Sequence, residues 1–516
     1  MRRSEDVRWQ WIGAALLVAV VFPFLIGLSH DLVRSYTITP DADLIFLGQA
    51  LRLGDGLGQT YHDHTGHAYI LILYAWLKVW AFFGLIPQPS EAAAIATANI
   101  DTYIQPLIVA GRGLSMTLSS IFTALMIVGT RCMGISRAMA IAVGLVFATS
   151  QGLINQSLIM RAELLSAMAV FAVFFALVQS QRSHGREHLM WLAVAGAAAI
   201  LAMDTKIQSI IVLLGLPVLA LALGLYRRPP PLESVSLGTL TFAAFAIAIA
   251  VPFLGVVGFS LTTSEFRGPL TGYQGLVAGL IIVCMVLYGW LYRETRIRQI
   301  NGALALLAGL SLGTAVLFVW HSYRLLDAMV HFVEYMTVFS SSVSRGEVSA
   351  ALFIKLIRVL IERHFLNLLT PTGILELLSV LAMALLYLRG DRKRAVLVFL
   401  MVGLGLAVET AFGLRGYSMS YHIYVDPWLF LAVAIGLDAL IPWLQAGAKT
   451  LFAGGVLVLT GWLTVVSLGD GMIPAQAPEN VCYQARTYLE PALADRFESY
   501  CPGGQSSANK GRSSAT

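Results

Sequence analysis

Charged residues are scarce in this chain, and their scarcity excludes a water-soluble protein. Only 12% of the 516 residues are Asp, Glu, Lys or Arg, whereas 57% are hydrophobic and the mean hydropathy is +0.75. So few polar side chains cannot cover the surface of a soluble globule of this size. The chain also lacks segments of about ten residues in which apolar and polar side chains alternate, the pattern of barrel strands. The apolar segments therefore predict membrane-spanning helices and not a membrane barrel.

Cysteine is rare as well, with four residues in the chain. Cys132 and Cys284 lie in or beside apolar segments, whereas Cys482 and Cys501 lie in the polar C-terminal tail and form a candidate disulfide. The net charge of +5 comes from short basic clusters between apolar segments. Such clusters are typical of the cytoplasmic loops of membrane proteins, and they argue against nucleic-acid binding.

The apolar segments predict about thirteen membrane spans, because one crossing needs about 20 apolar residues. The first segment follows Met1-Arg2-Arg3, is long for a signal peptide and lacks a cleavage pattern, so it is read as a retained helix. The candidate spans are approximately 11–29, 106–129, 138–155, 164–180, 189–203, 207–226, 235–257, 273–292, 303–320, 366–388, 396–413, 427–444 and 450–468.

The topology depends on one further apolar segment, 68–86. If this segment crossed the membrane, the most basic later loops would face outward, against the positive-inside rule. We therefore predict juxtamembrane helices within a long first external loop, about 30–105. The N-terminus then lies inside and the C-terminus outside, where Cys482 and Cys501 can oxidise.

The predicted fold class is therefore an all-α polytopic membrane protein. Its transmembrane domain covers 1–468, and a short external tail covers 469–516. The predicted external side carries the longest polar segments, so recognition or chemistry is expected to face outward. The predicted location is the cell inner (plasma) membrane, with the active site facing the periplasm or the exterior.

The first external loop begins with two acids, Asp41 and Asp43, separated by one residue. Two carboxylates at this spacing can act on one ligand or metal ion, or one can be a general base that the other orients. The alternative is that one of them caps the helix predicted over 44–53.

A histidine-rich motif follows in the same loop, formed by Tyr61, His62, Asp63, His64 and His67. Nitrogen and oxygen ligands at this density suit zinc or another divalent ion, which is the one candidate cofactor. The spacing matches no closed metal motif, however, so histidines that only hydrogen-bond at the membrane boundary are the alternative. The candidate metal ligands are Asp41, Asp43, Glu163 and His64.

These motifs resemble the start of the glycosyltransferase-C superfamily, in particular the protein O-mannosyltransferases and the bacterial lipid A aminoarabinose transferases. Met160-Arg161-Ala162-Glu163-Leu164 is similar to the acidic motif of the second external loop, and Tyr421–Pro427 to a late basic and tyrosine motif. The chain departs from the usual pattern by having Asp-x-Asp where many members have adjacent acids.

The resemblance implies a glycosyltransferase-C fold and an inverting transfer of a sugar from a polyprenyl-phosphate donor to an acceptor hydroxyl. The acceptor would be a glycolipid, a polysaccharide or a protein of the cell envelope, and the lipid bilayer would supply the donor. An acid after the first helix is the catalytic base, and position favours Asp43, with Asp41 beside it. The residues expected at the donor phosphate or substrate are Arg161, Glu163, Lys206, Arg324, Arg415, His422 and Tyr424.

Each of these assignments has a structural alternative. Lys206 could be a snorkelling lysine at a helix end, and Arg161 and Glu163 could form a structural ion pair. His422 and Tyr424 could belong to the interfacial belt of the membrane.

Two other functions are compatible with a helical membrane protein of this size. A transporter or lipid flippase places ionisable residues near mid-membrane, whereas the predicted span interiors are nearly uncharged, apart from Glu409 and Asp438 near span ends. An envelope polysaccharide ligase or polymerase shares an outward active site but uses a diphosphate-linked glycan. The position of the conspicuous acids, just outside the first helix, favours the enzyme.

Overall fold

The structure is a computed structural model. It describes residues 11–29, 33–37, 43–58, 66–183, 185–206, 357–365, 370–414, 419–440 and 479–501, with scattered positions in 208–219, 302–313, 354 and 455–465. The regular elements within these ranges are all helical. In chain order the α-helices are α1 Phe22–Ser29, α2 Asp43–Gly54, α3 His67–Phe82, α4 Glu91–Ala96, α5 Ile100–Cys132, α6 Arg137–Ala148, α7 Gln151–Ser157, α8 Ala162–Ser180, α9 Gly185–Thr205, α10 Pro371–Leu388, α11 Arg392–Leu414, α12 Asp426–Leu440, α13 Glu479–Tyr488 and α14 Pro491–Ala494.

Short helices of other types complete these elements. π-helical turns lie at Leu17–Val21, directly before α1, and at Ile361–Phe365. A 3-10 helix over Met419–Tyr424 leads into α12, and a second one over Asp495–Tyr500 follows α14.

Four of the described helices are long and apolar enough to cross a membrane, namely α5, α8, α9 and α11. A fifth span results if α6 and α7 are counted together. These helices coincide with predicted spans, and they support the prediction of a helical membrane protein. The full number of spans stays a prediction, because several of the predicted segments lie outside the described residues.

The predicted span 138–155 is bent, with α6 and α7 meeting at 56°. Thr149 and Ser150 form the break: the Thr149 hydroxyl donates to the Val146 carbonyl, and the Ser150 hydroxyl caps α7 by accepting the Leu153 amide. Hydroxyl groups that bond nearby backbone compete with a continuous helix. Helix α7 is polar and fully buried, so it lines the protein interior.

Segment 68–86 contains α3, which is too short to cross a membrane. Its 16 residues extend about 24 Å, less than the roughly 30 Å of a hydrocarbon core. Tyr69, Leu73 and Leu77 are buried against the protein, whereas Val79 and Phe82 are exposed. An apolar helix with one exposed apolar face fits the predicted juxtamembrane position.

Helix α5 occupies the centre of the described bundle, where it packs against α3, α6, α8 and α1. A second group, α10, α11 and α12, is joined to the first by contacts of α12 with α6. Close packing of aromatic side chains stabilises this junction. The aromatic cluster comprises Phe122, Phe147, Phe171, Phe174, Trp428 and Phe430.

Residues 479–501 form a compact segment, here called the C-terminal cap. It contains α13, α14 and the final 3-10 helix, and a disulfide joins Cys482 to Cys501, with their Cα atoms 5.1 Å apart. The cap packs on α2 and α4 of the first loop. The contact requires the cap and the first loop to lie on one side of the membrane.

Candidate active site

Asp43 is the first residue of α2, and its carboxylate is buried and fully hydrogen-bonded. Its side chain accepts hydrogen bonds on Oδ2 from Nε (3.0 Å) and Nη2 (2.9 Å) of Arg112, and on Oδ1 from the Met160 amide (2.7 Å). Asp43 is 3% exposed and Arg112 only 1%. Two nitrogens of Arg112 thus share one oxygen of Asp43 in a buried, charge-assisted ion pair.

Arg112 also ties this pair to the start of the first loop, because its Nη1 donates to the Arg34 carbonyl at 2.5 Å. Four chain stretches therefore meet at the Asp43–Arg112 ion pair: residues 33–37, α2, α5 and the turn before α8. Burial raises the pKa of Asp43, while the positive charges of Arg112 and Arg161 and the Met160 hydrogen bond oppose this shift.

A second ion pair lies close by, between Glu163 in the first turn of α8 and Lys206 directly after α9. The Nζ–Oε1 distance is 2.9 Å, and Lys206 is 2% exposed. The carboxylate is at a helix N-terminus and the ammonium at a helix C-terminus, where the helix dipoles favour these charges. The ammonium is buried in this pair, so the alternative of a snorkelling lysine is wrong. These two pairs are here called the first-loop ion pairs.

The residues before Lys206 hold the beginning of α3 in place. Asp204 accepts the Ala68 amide at 3.0 Å, and the Thr205 carbonyl accepts the Gly66 amide at 3.0 Å. Asp204 thereby satisfies one of the amides that a helix N-terminus leaves without a partner. His67, the last residue of the histidine-rich motif, is buried at this junction.

His422 lies in a separate buried cluster on the 3-10 helix before α12. Its Nδ1 is 2.8 Å from the Thr372 hydroxyl, and its Nε2 is 3.3 Å from Oε2 of Glu409. The other oxygen of Glu409 accepts from Arg363 at 3.4 Å. Burial alone lowers the pKa of His422, but the neighbouring Glu409 carboxylate outweighs burial and raises it.

A second histidine, His364, completes this cluster. Its Nδ1 is 2.9 Å from Oε1 of Glu376, and its Nε2 is 3.1 Å from the Thr410 hydroxyl. The six residues His364, Glu376, His422, Glu409, Arg363 and Asp426 are here called the histidine network. Burial raises the pKa of Asp426 to about 6, against the opposing charge of His422.

A glycine allows α7 to pack closely against the 3-10 helix that carries His422. A Cβ atom on Gly152 of α7 would lie 2.5 Å from the Ile423 amide nitrogen and 2.7 Å from Oδ2 of Asp426. Only glycine allows α7 to approach the 3-10 helix this closely. Tyr424, on the same helix, is fully buried and close enough to Glu163 to interact with its charge.

The structure thus gathers Asp43, Arg161, Glu163, Lys206 and Tyr424 around one region, with His422 on the same 3-10 helix as Tyr424. The remaining sequence candidates lie outside the described residues. They are Asp41, Tyr61, His62, Asp63, His64, Arg324 and Arg415.

No group of three or more metal-ligating side chains is found among the residues that the structure describes. Of the candidate ligands, Asp43 and Glu163 are described, and each forms an ion pair with a cationic side chain. The other two, Asp41 and His64, are among the residues that are not described.

Sequence reasoning missed Arg112, although a signal was present. The span interiors were expected to be nearly uncharged, but the predicted span 106–129 contains this arginine. Likewise, Glu376 lies within the predicted span 366–388. An ionisable residue in an apolar span needs a buried partner, which here is Asp43 for Arg112 and His364 for Glu376.

Two solved structures resemble the chain in fold. The apo form of the oligosaccharyltransferase of Archaeoglobus fulgidus aligns with a TM-score of 0.52 and 11% sequence identity, over 95% of this chain and 59% of that one. The same enzyme in complex with Zn and sulfate aligns with a TM-score of 0.46 and 12% identity, over 95% and 57%. No protein-family model and no curated protein matches the chain.

The chain shares the fold of this oligosaccharyltransferase. The apo structure carries that conclusion, and at 11% identity it extends to the fold alone. The chain spans less than two thirds of the length of these neighbours.

Proposed function

We propose that the protein is a membrane glycosyltransferase that takes a sugar from a polyprenyl-phosphate donor and passes it to an acceptor hydroxyl on the extracytoplasmic side. The observation that carries this proposal is the buried cluster around Asp43, in which the first loop, α5 and α8 meet. The fold of an oligosaccharyltransferase and the sequence motifs of the first loop support the same function. A lipid-anchored donor reaches such a site from the membrane.

The contacts of Asp43 favour a division of labour between the two acids. Both of its oxygens already accept hydrogen bonds, from Arg112 and from Met160. Protonation of Asp43 would weaken its buried ion pair with Arg112, whereas a general base needs a lone pair directed at its substrate. We therefore assign positioning of the loop to Asp43 and proton acceptance to Asp41, two residues before α2.

The proposed reaction is a single displacement. The acceptor oxygen attacks the anomeric carbon, the bond from that carbon to the donor phosphate oxygen breaks, and the acceptor proton passes to the carboxylate of Asp41. The anomeric configuration inverts, and polyprenyl phosphate leaves. Arg161 and His422 are the described cations proposed to stabilise the phosphate, together with Arg324 and Arg415.

Lys206 has a different role in this proposal, although the sequence places it among the phosphate-binding candidates. Its ammonium is buried 2.9 Å from Glu163, and the salt bridge holds α8 beside α9. The pair also helps to position Arg161, which precedes Glu163 by two residues. Glu163 and Tyr424 then form the wall of the proposed substrate site.

The test is a transfer assay on membranes that contain the full chain. Synthetic polyprenyl-phosphate hexoses and pentoses serve as donors, and wild type is compared with Asp41→Asn, Asp43→Asn and the matched control Asp391→Asn in an exposed turn. We expect Asp41→Asn to lower the rate by about 100-fold or more, in the range of general-base catalysis. Asp391→Asn should retain wild-type activity at equal expression.

The same assay tests the division of labour and the metal question. Asp43→Asn should lower both the rate and the amount of folded protein, because it weakens the bond to buried Arg112. Full transfer activity in both Asp41→Asn and Asp43→Asn would exclude the mechanism. A chelator arm asks whether a divalent ion takes part: loss of transfer that added metal restores would show that it does.

A further inference from the structure

The C-terminal cap docks on the helix that begins with Asp43. A Cβ atom at Gly48 would lie 2.3 Å from Cδ2 of Leu489, and the described atoms within 4 Å of it belong to this leucine alone. One turn further along α2, Arg52 pairs with Glu490 of the cap, with a distance of 3.0 Å between Nη1 and Oε1. The cap thus contacts α2 at its middle and near its end.

The same cap also contacts the start of α5 and the stretch 33–37. The Tyr500 hydroxyl donates to Oδ1 of Asp101 at 2.7 Å, and the Tyr36 hydroxyl donates to the same oxygen. The fully buried ring of Phe497 packs edge-on against Tyr36, with 6.1 Å between the ring centroids. Arg496 donates to the Thr97 carbonyl just before α5.

The elements that the cap joins are those that meet at Arg112. Helix α2 carries Asp43, α5 carries Arg112, and stretch 33–37 carries the Arg34 carbonyl that accepts from Arg112. The cap contacts described above are made by other residues of these elements, namely Gly48 and Arg52 of α2, Asp101 of α5 and Tyr36. Through them the cap can act on the relative position of the elements that carry the buried ion pair.

We propose that the C-terminal cap, closed by the Cys482–Cys501 disulfide, is a positioning element that keeps α2 and α5 in the register required by the Asp43–Arg112 pair. This proposal rests on the proposed function. The disulfide joins the two ends of the cap across a sequence separation of 19, which restricts the freedom of the undocked segment and so favours docking. Leu489, Glu490 and Tyr500 are positioning residues, with no contact to substrate.

The first experiment measures hydrogen exchange in the full chain, purified in lipid nanodiscs. Deuterium uptake of peptides covering α2 is compared between oxidised protein, protein treated with a phosphine reductant, and the Cys482→Ser/Cys501→Ser variant. We expect uptake in α2 to rise by about tenfold when the disulfide is lost, because local opening becomes easier. Peptides from α11, which belongs to the second group of helices, serve as the internal reference, and Cys132→Ser is the thiol control.

The second experiment enlarges the side chain on one side of the α2–cap contact and shortens the one that faces it. Gly48→Leu places a bulky side chain against Leu489, and Leu489→Ala removes the side chain that it meets. With the active donor of the transfer assay as probe, each single variant should lower kcat by about tenfold to 100-fold with little change in KM, since small displacements at a site cost rate. The double variant Gly48→Leu/Leu489→Ala should recover most of the lost kcat.

In the double variant, the smaller side chain at position 489 makes room for the larger one at position 48. Recovery of kcat would therefore trace the loss in the single variants to this contact and not to a loss of folded protein. Unchanged uptake in α2 after reduction would overturn the proposal, and so would a double variant whose losses simply add. If wild type transfers no sugar while α2 still responds to reduction, the docking is supported and the glycosyltransferase assignment fails. If transfer is robust but insensitive to both perturbations, the positioning role fails and the glycosyltransferase assignment stands.

Discussion

The first-loop ion pairs and the histidine network are both buried, but they hold their charges by different means. Arg112 carries a guanidinium that stays protonated, and it meets Asp43 in two hydrogen bonds. His422 and His364 face Glu409 and Glu376, and an imidazole changes its charge near neutral pH. The first region is suited to fixed geometry, whereas the second can respond to protons.

The difference also separates roles in the proposed enzyme. The Asp43–Arg112 ion pair fixes the start of α2, two residues after Asp41 in the sequence. The histidine network includes His422, which shares a 3-10 helix with Tyr424, so protonation within the network changes the charge beside the proposed substrate site. Variants of each region should therefore differ in their pH profiles as well as in their stability.

The largest effect is expected from breaking the Asp43–Arg112 pair. Arg112→Met leaves a buried carboxylate without its cation, which should cost about 3–5 kcal/mol of stability. The double variant Asp43→Leu/Arg112→Met should regain most of that loss, because no unpaired charge remains. Thermal unfolding in detergent measures both, and a double variant no more stable than Arg112→Met would contradict the ion-pair explanation.

A somewhat smaller effect is expected at Lys206. Lys206→Met leaves Glu163 buried with its salt bridge broken and should cost about 3 kcal/mol, the lower end of the range, since a single 2.9 Å contact is lost. Lys78→Met, at an exposed hydrogen bond to Gln88, is the matched control and should change stability little. Equal unfolding temperatures for the two variants would restore the snorkelling interpretation of Lys206.

The histidine network predicts a pH dependence of stability that is centred on His422. The folded-state pKa of His422 is raised, so its contribution to stability is complete below about pH 6.5, the ordinary histidine value, and is lost as the pH rises through the raised value. Burial raises the pKa of Asp426 to about 6, so stability also falls as the pH rises from about 3.9, the ordinary aspartate value, through about 6.

Unfolding temperatures of wild type and His422→Gln, measured from acid to alkaline pH, test this prediction. Wild type should lose stability through the upper range, and His422→Gln should flatten that decline; Asp426→Asn should flatten the lower range instead. At low pH, His422→Gln should cost about 1–3 kcal/mol, as expected for disturbing a buried hydrogen-bonded group. Parallel profiles for wild type and both variants would refute the assignment.

An effect of similar size is expected at Gly152, where α7 packs against the 3-10 helix. Gly152→Ala places a methyl group 2.5 Å from the Ile423 amide nitrogen, and overpacking of this kind should cost about 1–3 kcal/mol. Gly113→Ala, in the interior of α5 with open space around it, should instead stabilise by about 0.5–1 kcal/mol. The two unfolding temperatures should move in opposite directions, and a shared direction would show that the contact at Gly152 is unimportant.

Several elements follow from local sequence patterns. The spans over 164–180 and 396–413 are long apolar runs between basic residues, and α8 and α11 occupy them. The acids of the first loop and the motif around Glu163 are visible because charged residues are rare in this chain. The bend between α6 and α7 was missed, since the hydropathy of 138–155 does not reveal the hydroxyl groups that interrupt its backbone hydrogen bonds.

Partners are harder to predict than residues. Asp43 is conspicuous in sequence, but Arg112 lies 69 positions later, and neither residue indicates that the other will meet it. Arg363 and His364 were not predicted to be part of any site, because a single basic residue near the end of a span is an ordinary occurrence. Glu376 was overlooked, although it lies in the middle of the predicted span 366–388.

By itself, the amino-acid sequence determined that this chain is a helical membrane protein, because hydropathy is a local property summed along the chain. It also singled out Asp41 and Asp43, which stand out against an apolar background. Only the tertiary structure decided that Asp43 is bound by Arg112, that Lys206 is buried beside Glu163, and that the C-terminal cap rests on α2. Those contacts join residues far apart in sequence, and burial, which gives each its strength, exists only once the helices have packed.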